Sequence, residues 1–403
     1  SVVATGDFTH PEWRKEILEN LQEDGTGLLS LKKEKRCRLP QKQTSQQTGD
    51  VRFILNVEIS SIYKKNGRVR KIHNLVFMPD VESMNRFCSK LKSVGNLNSD
   101  GRPILGLDSR NLLEMALEAS ENSFVVPAHI WTPWFSLLGS RSGFDSVEEC
   151  FEDLASHIFA LETGLSSDPD MNRKVSSLDQ YTLISNSDTH SASTMGREVN
   201  IFTGKPGYLA IRDSLKKGGP GRLTPEVCIS PFKALTEERN IIEGNDSFLG
   251  TIEFYPEEGK YHWDGHRKCG IRWSPSESSA HANLCPVCGK AVTIGVVNRV
   301  ETLSDRNEPV VNDKAGYFWK MVPLIEIISE TLMIGTKTKK AEIIYHDMVC
   351  QLGPELMILW GCEPEAIMKS APAAIAEAIL KVRNRQVTVE PGYDGEFGRV
   401  IIK

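Results

Sequence analysis

In the first half of the chain, short apolar runs repeatedly stand beside a side chain that can hold a metal. SVVATGD ends on Asp7, FILNVE on Glu58, FVVPAH on His129 and FALE on Glu162. TLISNSDTH ends on Asp188 and His190, and His73 opens HNLVF. The runs are rich in Val, Ile, Leu and Phe, as strands are. Between them lie helical patterns with apolar spacings of three and four, such as VESMNRFCSKLKSV and SVEECFEDLASHIFA. The alternation predicts an α/β fold with a mainly parallel sheet or barrel over residues 1–218. In a βα barrel the strand C-termini converge on one face, so these side chains are expected to meet there.

Each residue also has a plainer reading. Asp188 fits a turn or a helix cap, and Asp7 and His10 fit a cap for a helix beginning near Pro11. His73 fits an ordinary strand histidine, and Glu162 fits a substrate-pocket residue. His157 and His346, inside helical patterns, are expected to pack rather than ligate. As a group, imidazole and carboxylate without thiolate suit a catalytic cluster of zinc, manganese or a similar ion. Glu58 can bridge two ions. Multi-metal sites activate water and stabilise the attacking and leaving oxygens of a phosphoryl displacement. The expected chemistry is hydrolysis of a phosphoester, with Asp188 the leading ligand.

A Gly- and Pro-rich stretch at 216–226 marks an expected boundary. Beyond it, His266-x-x-Cys269 and Cys285-x-x-Cys288 have the spacing of a four-ligand zinc site. His262 and His281 compete with His266 for the fourth position. A closed site of this kind is structural, because it leaves no position for water. The other six of the nine cysteines are scattered, mostly among apolar neighbours as buried thiols are, which favours a reducing intracellular compartment over a disulfide framework. Residues from about 320 to 383 read as helical, and the tail QVTVEPGYDGEFGRVIIK as two short strands around a turn. The expected domains are therefore 1–218, 219–310 and 311–403. A net charge of −5 argues against a uniformly basic surface, although 31–42 and 63–71 are locally basic. No apolar run approaches a membrane span.

The order Glu58, His73, His129, Asp188-x-His190 resembles the metal-ligand pattern of the PHP (polymerase and histidinol phosphatase) family. Asp7 falls where that family usually has a His after a Thr-Asp pair. The family opens with a His-x-His on its first strand, which this chain does not contain; because SVVATGD reads as the end of a strand, an upstream segment is expected. SNSDTH, PAHIWTPWFS, ETGLSSD, PGYDGEFG and YHWDGHRKCGIRWSPSESSAHANLCPVCGK together resemble the endonuclease Q family over nearly the whole chain.

That resemblance implies a distorted PHP-type βα barrel, a small zinc-binding module and a helical C-terminal domain. It also implies cleavage of DNA 5′ to hypoxanthine, uracil, xanthine or an abasic site. The cofactors would be a structural zinc and a di- or trinuclear cluster of zinc, manganese or magnesium held by Asp7, Glu58, His73, His129, Asp188 and His190. Asp188 and Glu162 would be catalytic. Lys64, Lys65 and Arg68 in the basic loop are expected on DNA phosphates, with Lys339 and Lys340 at a helix start as further contacts or a partner-docking face. Trp131 and Trp134, with Phe135, fit base stacking and barrel-rim packing equally. The expected partner is damaged DNA, the location cytoplasmic and nucleoid-associated, and a replication or repair protein partner stays open. The rival readings are a small-molecule PHP phosphatase and a non-catalytic DNA-binding protein with a decayed PHP domain.

Overall fold

RFILNVEISSIYKK, rich in Ile, Val, Phe and Tyr and buried along most of its first ten residues, builds the longest strand described, and Asn66-Gly67 turns the chain back on itself. Both turn residues have positive φ, 52° and 73°, as a two-residue hairpin that follows the strand twist requires. The computed structural model describes residues 1–36, 51–99, 101–220 and 247–402. Numbered along the chain, the strands of its first part are β1 (Val2–Ala4), β2 (Leu21–Glu23), β3 (Leu29–Leu31), β4 (Arg52–Lys65), β5 (Arg68–Met78), β6 (Ile104–Leu105), β7 (Phe124–Pro127), β8 (Ala160–Glu162), β9 (Thr182–Ile184) and β10 (Val199–Thr203). Those of the second part are β11 (Ser247–Glu253), β12 (Asp264–His266), β13 (Ile271–Trp273), β14 (Tyr317–Lys320), β15 (Thr388–Glu390) and β16 (Arg399–Ile401).

The largest sheet runs β2-β3-β4-β5-β7, with β1 and β6 also paired to β4. The expectation of mainly parallel strands is corrected here. Only β1 and β6 lie parallel to β4, whereas β2–β3, β3–β4, β4–β5 and β5–β7 are antiparallel. The reason is the Asn-Gly turn, which makes one hairpin of two runs expected to be separate strands. The expectation holds for β8 and β9, a separate parallel pair. Along β4, Val57 and Ile59 point to a core shared with helices Val81–Leu91 and Ser109–Ala119. Asn56, Glu58 and Ser60 point the other way, because side chains alternate along a strand. Helices Val81–Leu91 and Ser109–Ala119 are capped by Asp80 and Asp108, whose side chains accept backbone N–H groups.

Strands β10, β11 and β14 form a three-stranded sheet that joins residues from all three expected segments. The C-terminal helices Leu324–Leu332, Lys339–Leu352, Pro364–Ser370 and Ala373–Arg383 pack into a second core with Trp319. The expected terminal pair of strands is β15–β16. The segment after β13 docks on the loop that follows β7. Arg299 Nε donates to Leu138 O at 2.8 Å, its Nη2 to Phe144 O at 3.0 Å, and Arg141 Nη2 donates to Val292 O at 3.3 Å.

Several local expectations change. His157 ends a 3-10 turn and His346 lies on the helix Lys339–Leu352, and both are exposed rather than packed. Cys350 is exposed and Cys362 half-buried, unlike the buried Cys88 and Cys150; Cys37 and Cys228 lie outside the described residues. So do the second half of the basic run 31–42 and the second half of the expected boundary at 216–226.

Trp131 is 0% exposed and its indole Nε1 donates to Asn172 Oδ1 at 2.7 Å, which makes it a core residue and removes it as a stacking platform. Trp134, three residues on, is 36% exposed. Trp131→Ala is therefore expected to cost about 3–5 kcal/mol through the cavity and the orphaned amide. Trp134→Ala should cost much less, about 1 kcal/mol or under. Urea unfolding of the two variants checks the difference.

Candidate metal centre

Glu58 and His73 come together through strand register. Glu58 pairs with Leu75 and Ser60 with His73, so the two side chains are diagonal neighbours on one face of the hairpin. Diagonal neighbours are about 7–8 Å apart at the backbone, within reach of long side chains. His73 Nδ1 stands 2.9 Å from Glu58 Oε1, and His129 Nε2 stands 3.5 Å from the same oxygen. The two imidazoles are 3.1 Å apart, nitrogen to nitrogen. One ligand atom from each of Glu58, His73 and His129 falls within 4.8 Å of the others, so this group could hold a metal ion. Glu58 and His73 sit in mid-strand, not at the strand ends where barrel geometry puts them; only His129 follows a strand end.

Burial alone would raise the Glu58 carboxyl. Hydrogen bonds to His129 and His73, with the positive charges of His129 and Arg102, outweigh it and hold Glu58 well below the usual carboxylate range. Burial lowers His73 despite its bond to Glu58. Burial also acts to lower His129, but the Glu58 bond and the charges of Glu58, Glu162 and Asp188 raise it.

His129 is placed by β8. Its backbone N–H donates to Glu162 Oε2 at 2.7 Å, and the next N–H, of Ile130, donates to Glu162 O at 3.1 Å. The turn after β8 passes so close that a Cβ on Gly164 would lie 2.6 Å from His129 Cβ, and Gly164 has φ of +59°. Glu162 Oε1 accepts from Asn186 Nδ2 at 2.7 Å, and Asn186 Oδ1 accepts from Asn200 Nδ2 at 3.0 Å. Glu162 is thus a buried orienting group behind His129. Burial pushes its carboxyl up to about 7 against the pull of His129 and Asn186.

Asp7, Asp188 and His190 line the same cleft as the Glu58 group but lie outside its tight cluster. Asp7, His129 and Asp188 have φ of 37°, 31° and 42°. Left-handed backbone is uncommon outside glycine and concentrates at functional sites. Burial and the Glu58 charge raise the Asp7 carboxyl, opposed by Arg102. His10 occupies the helix N-cap without capping it through its side chain. His190 is the outermost, with its side chain 76% exposed and Nδ1 4.0 Å from Asp188 Oδ1. Arg102, in the loop before β6, carries no motif and escaped sequence reasoning. Its Nε is 2.8 Å from Glu58 Oε2 and its Nη2 is 3.9 Å from Asp188 Oδ1.

The cleft has a cavity volume of about 1530 Å³. That exceeds the roughly 300–1,000 Å³ of a small-ligand pocket.

At the hairpin tip Lys64 and Arg68 are exposed, but Lys65 is engaged by Glu152 at 2.8 Å and Asp108 at 3.2 Å. Phe135 packs on His73, ring centroids 4.8 Å apart, and Trp134 meets Tyr261 edge to face at 5.5 Å. Lys339 and Lys340 are exposed in the first turn of their helix, whose N-cap is Thr338. Ligand atoms of His266, Cys269, Cys285 and Cys288 also lie within 4.8 Å of one another, a second group that could hold a metal ion. His281 instead stacks on Trp273 at 4.4 Å, and His262 is buried elsewhere. Three thiols and an imidazole are a donor set that zinc favours.

Behind Glu162, Val199 pairs with Ile252, which sets buried Glu198 beside buried Glu253. Glu253 accepts hydrogen bonds from Thr251 and, at 3.0 Å, from Thr163. Burial pushes Glu253 up to about 8 despite these bonds, and burial with the Glu253 charge raises Glu198. A carboxyl whose folded pKa exceeds its unfolded value binds its proton more tightly when folded. Its stabilisation is complete below the unfolded value and is lost as pH rises through the folded one. Denaturant unfolding should therefore show stability falling between about pH 4.5 and 8, and Glu253→Gln should flatten that slope.

Residues 323–386 match the family model described as the MJ0043 C-terminal domain. The uncharacterized protein MJ0043 of Methanocaldococcus jannaschii is 29% identical over 276 residues, which is 68% of this chain and 31% of that protein. The chain thus spans less than a third of that relative's length. The uncharacterized protein YqxK of Bacillus subtilis is 29% identical over 338 residues, 82% of this chain and 73% of that one. The lesion-specific endonuclease PfuEndoQ from Pyrococcus furiosus superposes with a TM-score of 0.79 at 26% identity, covering 100% of this chain and 86% of that one. Endonuclease Q in complex with a 27-mer duplex substrate bearing an abasic lesion gives the same score and identity, covering 100% and 88%. From the hairpin of the metal centre to the C-terminal helices, the chain is an endonuclease Q-like protein.

Proposed function

We propose that this protein is a metal-dependent DNA repair endonuclease that hydrolyses the phosphodiester 5′ to a deaminated base or an abasic site. The observation that carries the reading is the whole-chain likeness to a lesion-specific endonuclease, one solved structure of which holds a duplex with an abasic lesion. The open cleft supports it, because a duplex needs a groove rather than an enclosed pocket.

Glu58, His73 and His129 would hold the metal centre, with Asp7, Asp188 and His190 contributing from the same cleft. Bound divalent ions supply water activation and neutralise charge on the phosphoryl oxygens. The protein keeps Glu58 ionised through neutral pH, the form a cation requires. Glu162 fixes the backbone of His129 and so acts as a positioning residue. His266, Cys269, Cys285 and Cys288 would hold a structural zinc in a closed set. The segment that follows this set packs on the loop 138–145, so the module steadies the chain leading from His129. Lys64, Arg68, Trp134, Lys339 and Lys340 are the proposed DNA contacts, and a poorly paired base unstacks at lower cost than a normal one.

End-labelled duplexes with one deoxyinosine, deoxyuridine or abasic site, with magnesium or manganese added, test the reading against an undamaged control. Lesion-dependent nicking on the 5′ side is the expected result. Release of phosphate from small phosphomonoesters without nicking would replace it with the phosphatase reading, and binding without hydrolysis with the non-catalytic one. Asp188→Ala should abolish nicking while duplex affinity stays within about tenfold of wild type, since many phosphate contacts remain. Cys285→Ser should lower bound zinc and the thermal midpoint together, as measured by elemental analysis and a melting scan.

A further inference from the structure

The inference concerns Arg102 and rests on the proposed phosphodiester hydrolysis. Its backbone is held beside the metal centre. Gly101 has φ of +78°, Pro103 follows, and the Pro103 carbonyl accepts the Ser60 N–H at 2.9 Å, two residues from Glu58 on β4. Ser60 then pairs with Ile104 in β6. The Arg102 side chain enters the cleft, where it is 26% exposed.

The guanidinium stands among three groups of the site, ion-paired most closely with Glu58 and forked on none of them. Its Nε is 2.8 Å from Glu58 Oε2, yet Nε makes no aligned hydrogen bond. Its Nη1 reaches His73 Nε2 at 3.5 Å, and its Nη2 is 3.9 Å from Asp188. Arg110 shows what full commitment looks like. Its Nε and Nη2 take the two oxygens of Asp153 at 2.9 Å each, a planar fork on a planar carboxylate. Arg102 has no such fork. Its charge is offset by Glu58, and its Nη1 and Nη2 have only long contacts, at 3.5 and 3.9 Å, in the cleft that the residue lines.

A guanidinium placed so can bind a phosphate oxygen as well as a carboxylate. Arginine binds phosphate oxygens through two donors and keeps its charge at all working pH. Charge builds on the non-bridging oxygens as a phosphodiester is attacked, and a fixed donor there acts on the transition state more than on the ground state. We infer that Arg102 is a catalytic residue that binds a non-bridging oxygen of the scissile phosphate across from the Glu58–His73–His129 group. An ion pair that only neutralises Glu58 would instead make Arg102 a structural residue.

Single-turnover cleavage of the abasic duplex by Arg102→Ala, Arg102→Lys and wild type separates the two roles. Arg102→Ala should cleave about 100- to 1,000-fold more slowly, the loss typical of one transition-state donor. Its metal content, by elemental analysis, should equal that of wild type, and its duplex affinity should fall by about tenfold at most. Added guanidinium ion should restore part of the rate to Arg102→Ala and none to wild type, and Arg102→Lys should fall between. Unchanged cleavage by Arg102→Ala overturns the inference and leaves the endonuclease reading standing. Slow cleavage with lost metal, or without rescue, makes the residue structural and also overturns it. The same variants are assayed on thymidine 5′-p-nitrophenyl phosphate. If wild type hydrolyses this diester but no lesion duplex, the endonuclease reading fails while Arg102 is still tested on the diester. If wild type hydrolyses neither, both fall.

Discussion

The contact between Glu58 and His73 across the β4–β5 hairpin is the interaction on which the site depends. It exists because the hairpin register sets the two residues diagonally on one face. A slip of one residue would pair Glu58 with an even-numbered residue of β5 and leave His73 on the opposite face of the hairpin. The Asn66-Gly67 turn, with its positive φ angles, and the apolar face packed under helices Val81–Leu91 and Ser109–Ala119 both resist that slip. The stability of the fold and the assembly of the candidate metal centre are thus two faces of one ribbon.

The second support comes from outside the hairpin. His129 is brought to Glu58 by the end of β7, but its orientation is set by β8, through Glu162 below and the bare Cα of Gly164 beside it. Behind Glu162 lie Asn186 and Asn200, and behind them the buried pair Glu198 and Glu253. Buried carboxyls of this kind are destabilising unless neutral or well bonded. Their place directly behind the cleft suggests that stability is given up there to hold a polar frame. Asp7, His129 and Asp188, all in left-handed backbone, fit the same pattern of local strain at a site.

The cysteine and histidine module is joined to the chain that follows β7 by packing contacts. Arg299 and Arg141 tie the segment after it to the loop 138–145, and Trp134, a few residues before that loop, meets Tyr261. The chain that leads from His129 is thus packed against the segment that follows these four residues.

The sequence alone determined the chemistry of the parts. The spacing of His266, Cys269, Cys285 and Cys288 was legible because ligands close in sequence can only meet in a tight turn. The strand-like runs and the metal-capable residues beside them were legible because burial period and side-chain type are local properties. Only the tertiary structure decided how those residues meet. It turned two expected parallel strands into one antiparallel hairpin and drew Glu58, His73 and His129 together in mid-strand. It buried Trp131, tied Lys65 to two carboxylates and brought Arg102 from an unmarked loop into the cleft. Those outcomes depend on contacts between residues tens of positions apart, and no periodicity or motif within the chain encodes which surface such a side chain will face.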